Sequence, residues 1–316
     1  MINKIINAFK SGTGRTLQSR RIQKLRRTGQ KLRHILHIVL SNKLAKIGTF
    51  LLIGFFMVAL LGPFITPNNP GERVVNENGE WLTNEPPSLE YPLGTNDSGF
   101  PIFSQLVIGT RIAFIVGLVT GLLVGGLGTI VGMIAGYYGG HLENILMRVV
   151  DTAYGLPFIP FAIVVIVVLG QSLLSVILAM TAIFWRSTAR VIRSEVVSIK
   201  ERGMIDAARA SGASDIRILG LHILPVVLPI VLLYSVFAIG WAIIAEAGLS
   251  FLGLGDPGSY SWGTMLNEAH TSHALYQELW IWIFAPGLCI VLFVMALYFI
   301  SQGIEELVNP ELRTEQ

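Results

Sequence analysis

Few residues of this chain have the types and spacing that catalysis requires. No lysine follows a glycine, so the sequence lacks the Gly-x-x-x-x-Gly-Lys loop that binds nucleotide phosphates. Neither His-Glu-x-x-His nor Gly-x-Ser-x-Gly occurs, which excludes the common zinc-protease and serine-hydrolase motifs. We therefore predict no catalytic residue and no cofactor, and the chain by itself is not an ordinary ATPase.

Side chains that could transfer protons or bind metals are also sparse. Arg148, Asp151 and Glu246 lie near the ends of apolar stretches, and Arg148 and Asp151 have the spacing of an ion pair on one helix face. A proton relay would place acids in the middle of a membrane span, so a relay is the less favoured alternative. Cys289 is the only cysteine and excludes both a disulfide framework and a cysteine-based metal site. No metal site is predicted.

The stretch 200–218 has the pattern of a helix, a turn and a second helix. Residues 200–211 are good helix formers, and Gly212 suits the left-handed position that ends a helix. Ser214 or Asp215 can then cap the second, short helix. The stretch therefore predicts two short helices that project from the chain's apolar segments.

Small side chains dominate this stretch and suggest a binding surface. A surface of alanine and serine next to Met204 and Ile205 could enter a groove on another protein with little steric conflict. The alternative is a plain connector, although more than thirty residues with an ordered pattern is long for one. We favour a docking surface.

The elements that must position these residues follow from the composition. Of 316 residues, 52% are hydrophobic and only 14% are charged, whereas soluble domains carry roughly 25% charged residues. The mean hydropathy of +0.62 points to lipid as the solvent. Apolar segments occur at about 47–66, 112–136, 154–170, 173–189, 223–247 and 279–300. We predict an all-α integral membrane protein with six transmembrane helices, which puts both termini on one side.

The distribution of charge predicts which side that is. Residues 1–46 contain twelve Lys or Arg and no acid, while 67–110 carries six acids against Arg73. The segment 186–222 is basic, so the positive-inside rule places it and both termini in the cytoplasm. A basic arm could also bind nucleic acid, but an anionic membrane surface explains the same charge and apolar residues recur at near-helical spacing within it.

We divide the chain accordingly. The segments are a basic cytoplasmic arm with an amphipathic helix at 1–46, the first span at 47–66, an acidic exterior loop at 67–110, a core of five spans at 111–303 with a cytoplasmic loop at 190–222, and a cytoplasmic tail at 304–316.

The second span contains glycines at nearly regular intervals of four. They are Gly117, Gly121, Gly125, Gly128, Gly132, Gly136 and Gly140. On a helix this spacing forms a stripe that another backbone can approach closely. We predict that Gly121, Gly125, Gly128, Gly132 and Gly136 pack against protein; the alternative is the lining of a pathway that must move.

The helix-turn-helix stretch resembles the "EAA" loop of ABC-importer permeases. That loop reads Glu-Ala-Ala, three residues, Gly, nine residues, and an apolar-x-Leu-Pro ending. Asp206 takes the place of the Glu, Gly212 is in register, and Leu224 and Pro225 close the motif. His222 replaces the usual apolar residue.

Further stretches are similar to the dipeptide/oligopeptide/nickel permeases within that group. The matching segments are 91–99, similar to Pro-Leu-Gly-Thr-Asp-x-x-Gly, and 249–255, 261–266 and 285–287. The family usually continues with Arg-Asp where this chain has Phe100 and Pro101. The resemblance covers about 90–310 and fits the subunit type with the shorter loop.

The resemblance implies a function and partners. It implies the type I ABC-importer architecture in the cytoplasmic membrane, a second homologous permease, two cytoplasmic ATPases that hydrolyse the ATP, and an exterior substrate-binding protein, with no nucleic acid. The residues expected to dock on the ATPase are Asp206, Ala207, Ala208, Ser211, Gly212, Ala213, Ser214, Asp215 and Arg217. Di- or oligopeptides are the expected cargo; nickel, another small solute, and an ion-coupled secondary transporter are the alternatives.

Overall fold

Helices account for nearly all of the regular structure. The computed structural model describes residues 41–66 and 68–308, so the predicted amphipathic helix of the arm and the tail beyond residue 308 lie outside the described residues. The helices are α1 (Lys43–Ile65), α2 (Ile102–Tyr138), α3 (Gly140–Gly155), α4 (Phe158–Leu169), α5 (Leu173–Lys200), α6 (Gly203–Ala210), α7 (Asp215–Ile218), α8 (Leu224–Phe251), α9 (Trp262–Thr271) and α10 (Trp280–Val308). A π-helical turn, Leu219–Ile223, joins α7 to α8.

The predicted all-α membrane fold is confirmed. Five helices are long and apolar enough to cross a bilayer: α1, α2, α5, the continuous helix Asp215–Phe251, and α10. The sixth predicted span, at 154–170, is the twelve-residue α4, too short to cross alone. It reaches spanning length only together with α3, and the pair is bent by 94°. Pro157, which precedes α4, lacks the N–H that a continuous helix would need at the bend.

The second span begins ten residues earlier than its apolar run. Pro101 occupies the N-cap of α2, and the first turns contain Ser104, Gln105 and Thr110, which are all buried. Because these side chains are polar, hydropathy does not reveal that they face protein. At about 1.5 Å per residue the 37 residues of α2 span about 55 Å, well beyond a hydrocarbon core of about 30 Å.

Helix α2 is the centre of the packing. It contacts α5, α8 and α1, while α10 packs against α1 and α8. An aromatic cluster joins these elements: the ring of Phe293 lies 4.9 Å from Phe114 and 5.1 Å from Phe55, and Trp262 of α9 adds a third contact at 5.9 Å. Rings at these distances and tilts attract one another beyond simple burial.

The glycine stripe of α2 meets two different helices. A Cβ added at Gly121 or Gly125 would lie 2.4 Å from the Ile239 side chain or 2.2 Å from the Ser235 hydroxyl of α8. Gly128, Gly132 and Gly136 meet α5, where the added Cβ atoms would lie 2.6–2.8 Å from backbone carbonyl oxygens. The stripe changes partner at the single step of three residues between Gly125 and Gly128.

The predicted exterior loop is a compact, turn-rich segment. Its Thr95 hydroxyl donates to the Leu82 carbonyl at 2.6 Å, and the backbone carries isolated bridges at Val75 with Trp81 and at Thr95 with Pro101. Phe100, which departs from the family pattern, lies 5.4 Å from the guanidinium of Arg73.

We expect Glu268→Gln to stabilise the protein at neutral pH. Burial raises the pKa of Glu268 above its usual 4.5, and the nearby Asp97 carboxylate raises this pKa further. The folded protein therefore holds the proton more tightly than the unfolded chain does. The free energy of unfolding falls as the pH rises from 4.5 through the raised pKa and is constant above it. A glutamine does not ionise, so the variant does not lose stability as the pH rises. The unfolding temperature of detergent-purified protein at pH 7 should therefore rise by a few degrees.

The same comparison at a pH well below 4.5 should show no such gain, because the Glu268 carboxyl is then protonated in both the folded and the unfolded state. Asp97→Asn is the matched control and should stabilise in the same direction by less, since desolvation is the larger cause. If Glu268→Gln were less stable than the parent at pH 7, the raised pKa of Glu268 would be contradicted.

Candidate functional site

The helix-turn-helix predicted around Gly212 is present. Helix α6 ends at Ala210, and Gly212, two residues further on, has a φ of +77° in the left-handed region. The N–H of Gly212 donates to the Arg209 carbonyl at 2.9 Å, and the N–H of Ala213 donates to the Ala208 carbonyl at 3.1 Å. This pair of bonds is a Schellman cap, which satisfies carbonyl groups that the helix end would otherwise leave free.

The second short helix is held by a side chain from α2. Ser214 is its N-cap residue but makes no side-chain capping bond. The Asp215 carboxylate instead accepts a hydrogen bond of 2.7 Å from the Tyr137 hydroxyl, and the Arg209 guanidinium lies 5.5 Å from the Tyr137 ring. The helix-turn-helix is therefore bonded to the end of α2, a contact between residues distant in sequence.

One face of this segment is buried against the membrane helices. Ile205, Ala208, Ile218 and Ile223 belong to one core cluster with Ile192 and other side chains of α2, α5 and α8. Ile205 is completely buried, so its predicted place on the outer surface is wrong. The signal was available, because the spacing of three between Ile205 and Ala208 places both on one helix face.

The opposite face is an open groove of about 380 Å³. Six of the nine expected docking residues border it directly, and its full lining is Met204, Ala207, Ala208, Ser211, Gly212, Ala213, Arg217 and His222. Asp206, Ser214 and Asp215 are exposed beside it. Small side chains make up much of its lining, so the groove has room for a protruding part of a partner, whereas the sequence suggested that this surface enters a groove on the partner.

Two exposed apolar side chains are next in sequence to residues that line the groove, and both were missed from the sequence. Ile216 is 82% exposed and Leu221 is 64% exposed, and Met204 is also exposed. Apolar side chains grouped on an exposed surface mark interaction sites. Ile216 stands between Asp215 and Arg217, and an isoleucine between two charges in a loop is the signal that could have identified it.

A second polar cluster joins α3 to α5. The Glu143 carboxylate pairs with Arg193, and the Asp151 carboxylate pairs with Arg190 at 2.6 Å. The pairing suggested for Asp151 with Arg148 is therefore replaced by a contact with another helix. Arg186, further along the same face of α5, donates to the backbone carbonyl of Ala153.

Glu246 does not line an open site. It is buried in α8 and accepts a hydrogen bond of 2.6 Å from the Ser250 hydroxyl, one helical turn further on. Across residues 41–66 and 68–308, no three His, Cys, Asp or Glu side chains lie close enough together to hold a metal ion.

Two models of known protein families match different parts of this chain. Residues 128–314 match the family described as "Binding-protein-dependent transport system inner membrane component", and residues 32–87 match "N-terminal TM domain of oligopeptide transport permease C".

Curated relatives span most of this chain. The dipeptide transport system permease protein DppC of Bacillus subtilis (strain 168) is 33% identical over 274 residues, covering 86% of this chain and 83% of that protein. The glutathione transport system permease protein GsiD of Escherichia coli O6:K15:H31 is 33% identical over 271 residues, covering 85% of this chain and 87% of that protein. An inward-facing structure of the MetNI methionine ABC transporter aligns with a TM-score of 0.47 and 20% identity, over 60% of this chain and 96% of that chain.

Proposed function

Because the chain belongs to the family of binding-protein-dependent transport inner membrane components, we propose that it is the permease subunit of an ATP-driven importer of di- or oligopeptides. It is a multi-pass protein of the cytoplasmic membrane. The named relatives with dipeptides and glutathione as cargo support a peptide over nickel.

The observation that carries the proposal is the groove on the α6–α7 segment. A cytoplasmic ATPase docks there, with a helix or loop of the ATPase seated between Met204, Ile216 and the small side chains at Ala207 and Gly212. Two ATPases, a second homologous permease and an exterior binding protein complete the transporter. The chemistry of ATP hydrolysis then belongs to the ATPases, and this chain converts their motion.

The fold supplies a route for that conversion. The docked segment is fixed to α2 by the Tyr137–Asp215 hydrogen bond and by its buried isoleucines, so displacement of the segment moves α2. Helix α2 contacts α5 and α8 through glycines, and helices packed in this way can slide past one another as rigid bodies. Closure of the ATPase dimer would thereby change which side of the membrane the pathway faces.

Transport by the assembled complex tests this function. The chain is reconstituted in liposomes with a second permease, ATPases and a binding protein from the same organism, and uptake of a radiolabelled tripeptide is measured. We expect uptake only when ATP is present on the side of the membrane that carries the ATPases and when the binding protein is also present. Uptake of Ni²⁺ in place of peptide, or peptide uptake by this chain alone driven by a proton gradient, would contradict the proposal.

A further inference from the structure

Three arginines lie along one face of α5, and one of them lacks an acidic partner. Arg193 pairs with Glu143 and Arg190 pairs with Asp151, both acids coming from α3. The guanidinium of Arg186 donates to the Ala153 carbonyl and lies 4.5 Å from the centre of the Tyr154 ring. Among the residues that the structure describes, no carboxylate forms an ion pair with Arg186.

Arg186 is also the first charged residue of α5. Thirteen uncharged residues, from Leu173 to Trp185, precede it in α5, which corresponds to about 20 Å of helix. Arg186 is therefore near the middle of the 28-residue helix. A cation within an apolar helix is costly unless it faces water or a partner inside the protein, and the partners of Arg186 are the Ala153 carbonyl and the Tyr154 ring.

A recess of about 400 Å³ opens beside this guanidinium. Its lining includes Arg186, Tyr154, Phe184, Tyr234 and Trp241, so aromatic rings surround a single positive charge. Its volume is in the range of sites that hold small ligands. The Tyr154 ring contacts two guanidinium groups, because Arg190 lies 4.2 Å from the centre of the same ring.

We propose that this recess is a passage site for the peptide, in which Arg186 binds the C-terminal carboxylate. The inference rests on the proposed peptide-import function. The two neighbouring arginines of the same face are each matched by a carboxylate, whereas Arg186 donates to the Ala153 backbone carbonyl and borders the recess. A guanidinium presents a planar pair of donors that fits a carboxylate.

The chemistry of the recess suits a cargo of varied sequence. Every unmodified peptide carries one terminal carboxylate, whatever its side chains. The rings of Tyr154, Phe184 and Trp241 offer apolar contact that does not depend on one particular side chain. The site therefore recognises the terminal carboxylate, which every such peptide has, and tolerates different side chains.

The test uses the assembled complex in liposomes with two forms of one tripeptide, one with a free C-terminal carboxylate and one with a C-terminal amide. The affinity of the isolated binding protein for each form is measured by calorimetry, so that delivery can be normalised. We expect Arg186→Gln to lower uptake of the carboxylate form by about tenfold or more, the effect of losing one charge-assisted hydrogen bond. Uptake of the amide should change little, so the preference for the carboxylate form should disappear.

Two further variants separate this role from a structural one. Arg186→Lys keeps the positive charge and should recover part of the preference. Arg148→Gln removes an exposed guanidinium from the adjacent α3 and should leave both forms unaffected.

Three results would overturn the inference: unchanged uptake in Arg186→Gln, equal loss of both peptide forms, or an ATP-independent leak of solute through that variant. Failure of the peptide-import function itself is distinguished by the parent complex, which would then import neither form.

Discussion

Replacing Gly132 by leucine is expected to remove most of the folded permease from the membrane. A Cβ at this position would lie 2.6 Å from the Ala189 carbonyl oxygen and 2.9 Å from the Ile192 side chain of α5. The carbonyl belongs to a helix backbone and cannot rotate away, so α2 and α5 must separate. Overpacking of this kind costs about 3 kcal/mol, which lowers the ratio of folded to unfolded protein about a hundredfold and leaves a marginally stable protein largely unfolded.

The measurement is the amount of monodisperse protein recovered in mild detergent, with its unfolding temperature. The matched control is Gly126→Leu on the same helix, because Gly126 is exposed and an added Cβ meets nothing within 4 Å. Near-normal recovery of the Gly132 variant, or equal loss in both variants, would show that close approach at this glycine is not what holds α2 to α5.

Gly212→Trp is expected to leave the chain in the membrane and to abolish transport. No neighbouring atom lies within 4 Å of a Cβ at Gly212, so the indole points into the open groove rather than into the core. The positive φ costs a tryptophan about 1–2 kcal/mol, which a folded membrane domain can withstand. The indole then occupies the volume that the ATPase would enter. We expect peptide uptake to fall at least about thirtyfold, as binding worth about 2 kcal/mol or more is lost, and the ATPase to stop co-purifying.

Two control variants separate the bulk of the indole from the strain of the backbone. Gly212→Ala carries the cost of the positive φ without filling the groove and should retain most of the uptake. Gly79→Trp places the same side chain at a glycine with φ of +79° and open surroundings in the predicted exterior loop, and should keep the ATPase bound. Normal uptake and normal co-purification by Gly212→Trp would refute the docking surface.

Local patterns in the sequence predicted the elements whose causes are local. Long apolar runs reveal the spans because the bilayer imposes a minimum length. Gly212 was identifiable as a helix end because the left-handed conformation is a property of one residue. The bend between α3 and α4 was also encoded, by Gly155 and Pro157, but averaging hydropathy over a window conceals a break inside an apolar run.

Contacts between distant residues could not be predicted in the same way. Nothing near Asp215 in sequence indicates that Tyr137, 78 residues away, donates to it. Asp151 has a plausible partner on its own helix, yet it contacts Arg190 because the packing of α3 on α5 brings that guanidinium closer. The glycine stripe shows the same limit: its spacing indicated close packing, but only the fold shows that α5 and α8 share it.

The length of α2 has a mechanical consequence. Near its first residue it adjoins the loop that contains Thr95 and Pro101, and at its last turn Tyr137 bonds to Asp215 of the α6–α7 segment. A rod of about 55 Å that pivots by about 5° moves one end by about 5 Å relative to the other. One continuous lever therefore reaches both faces of the bilayer, and a partner that tilts it from either side changes the position of the surface that the other partner meets.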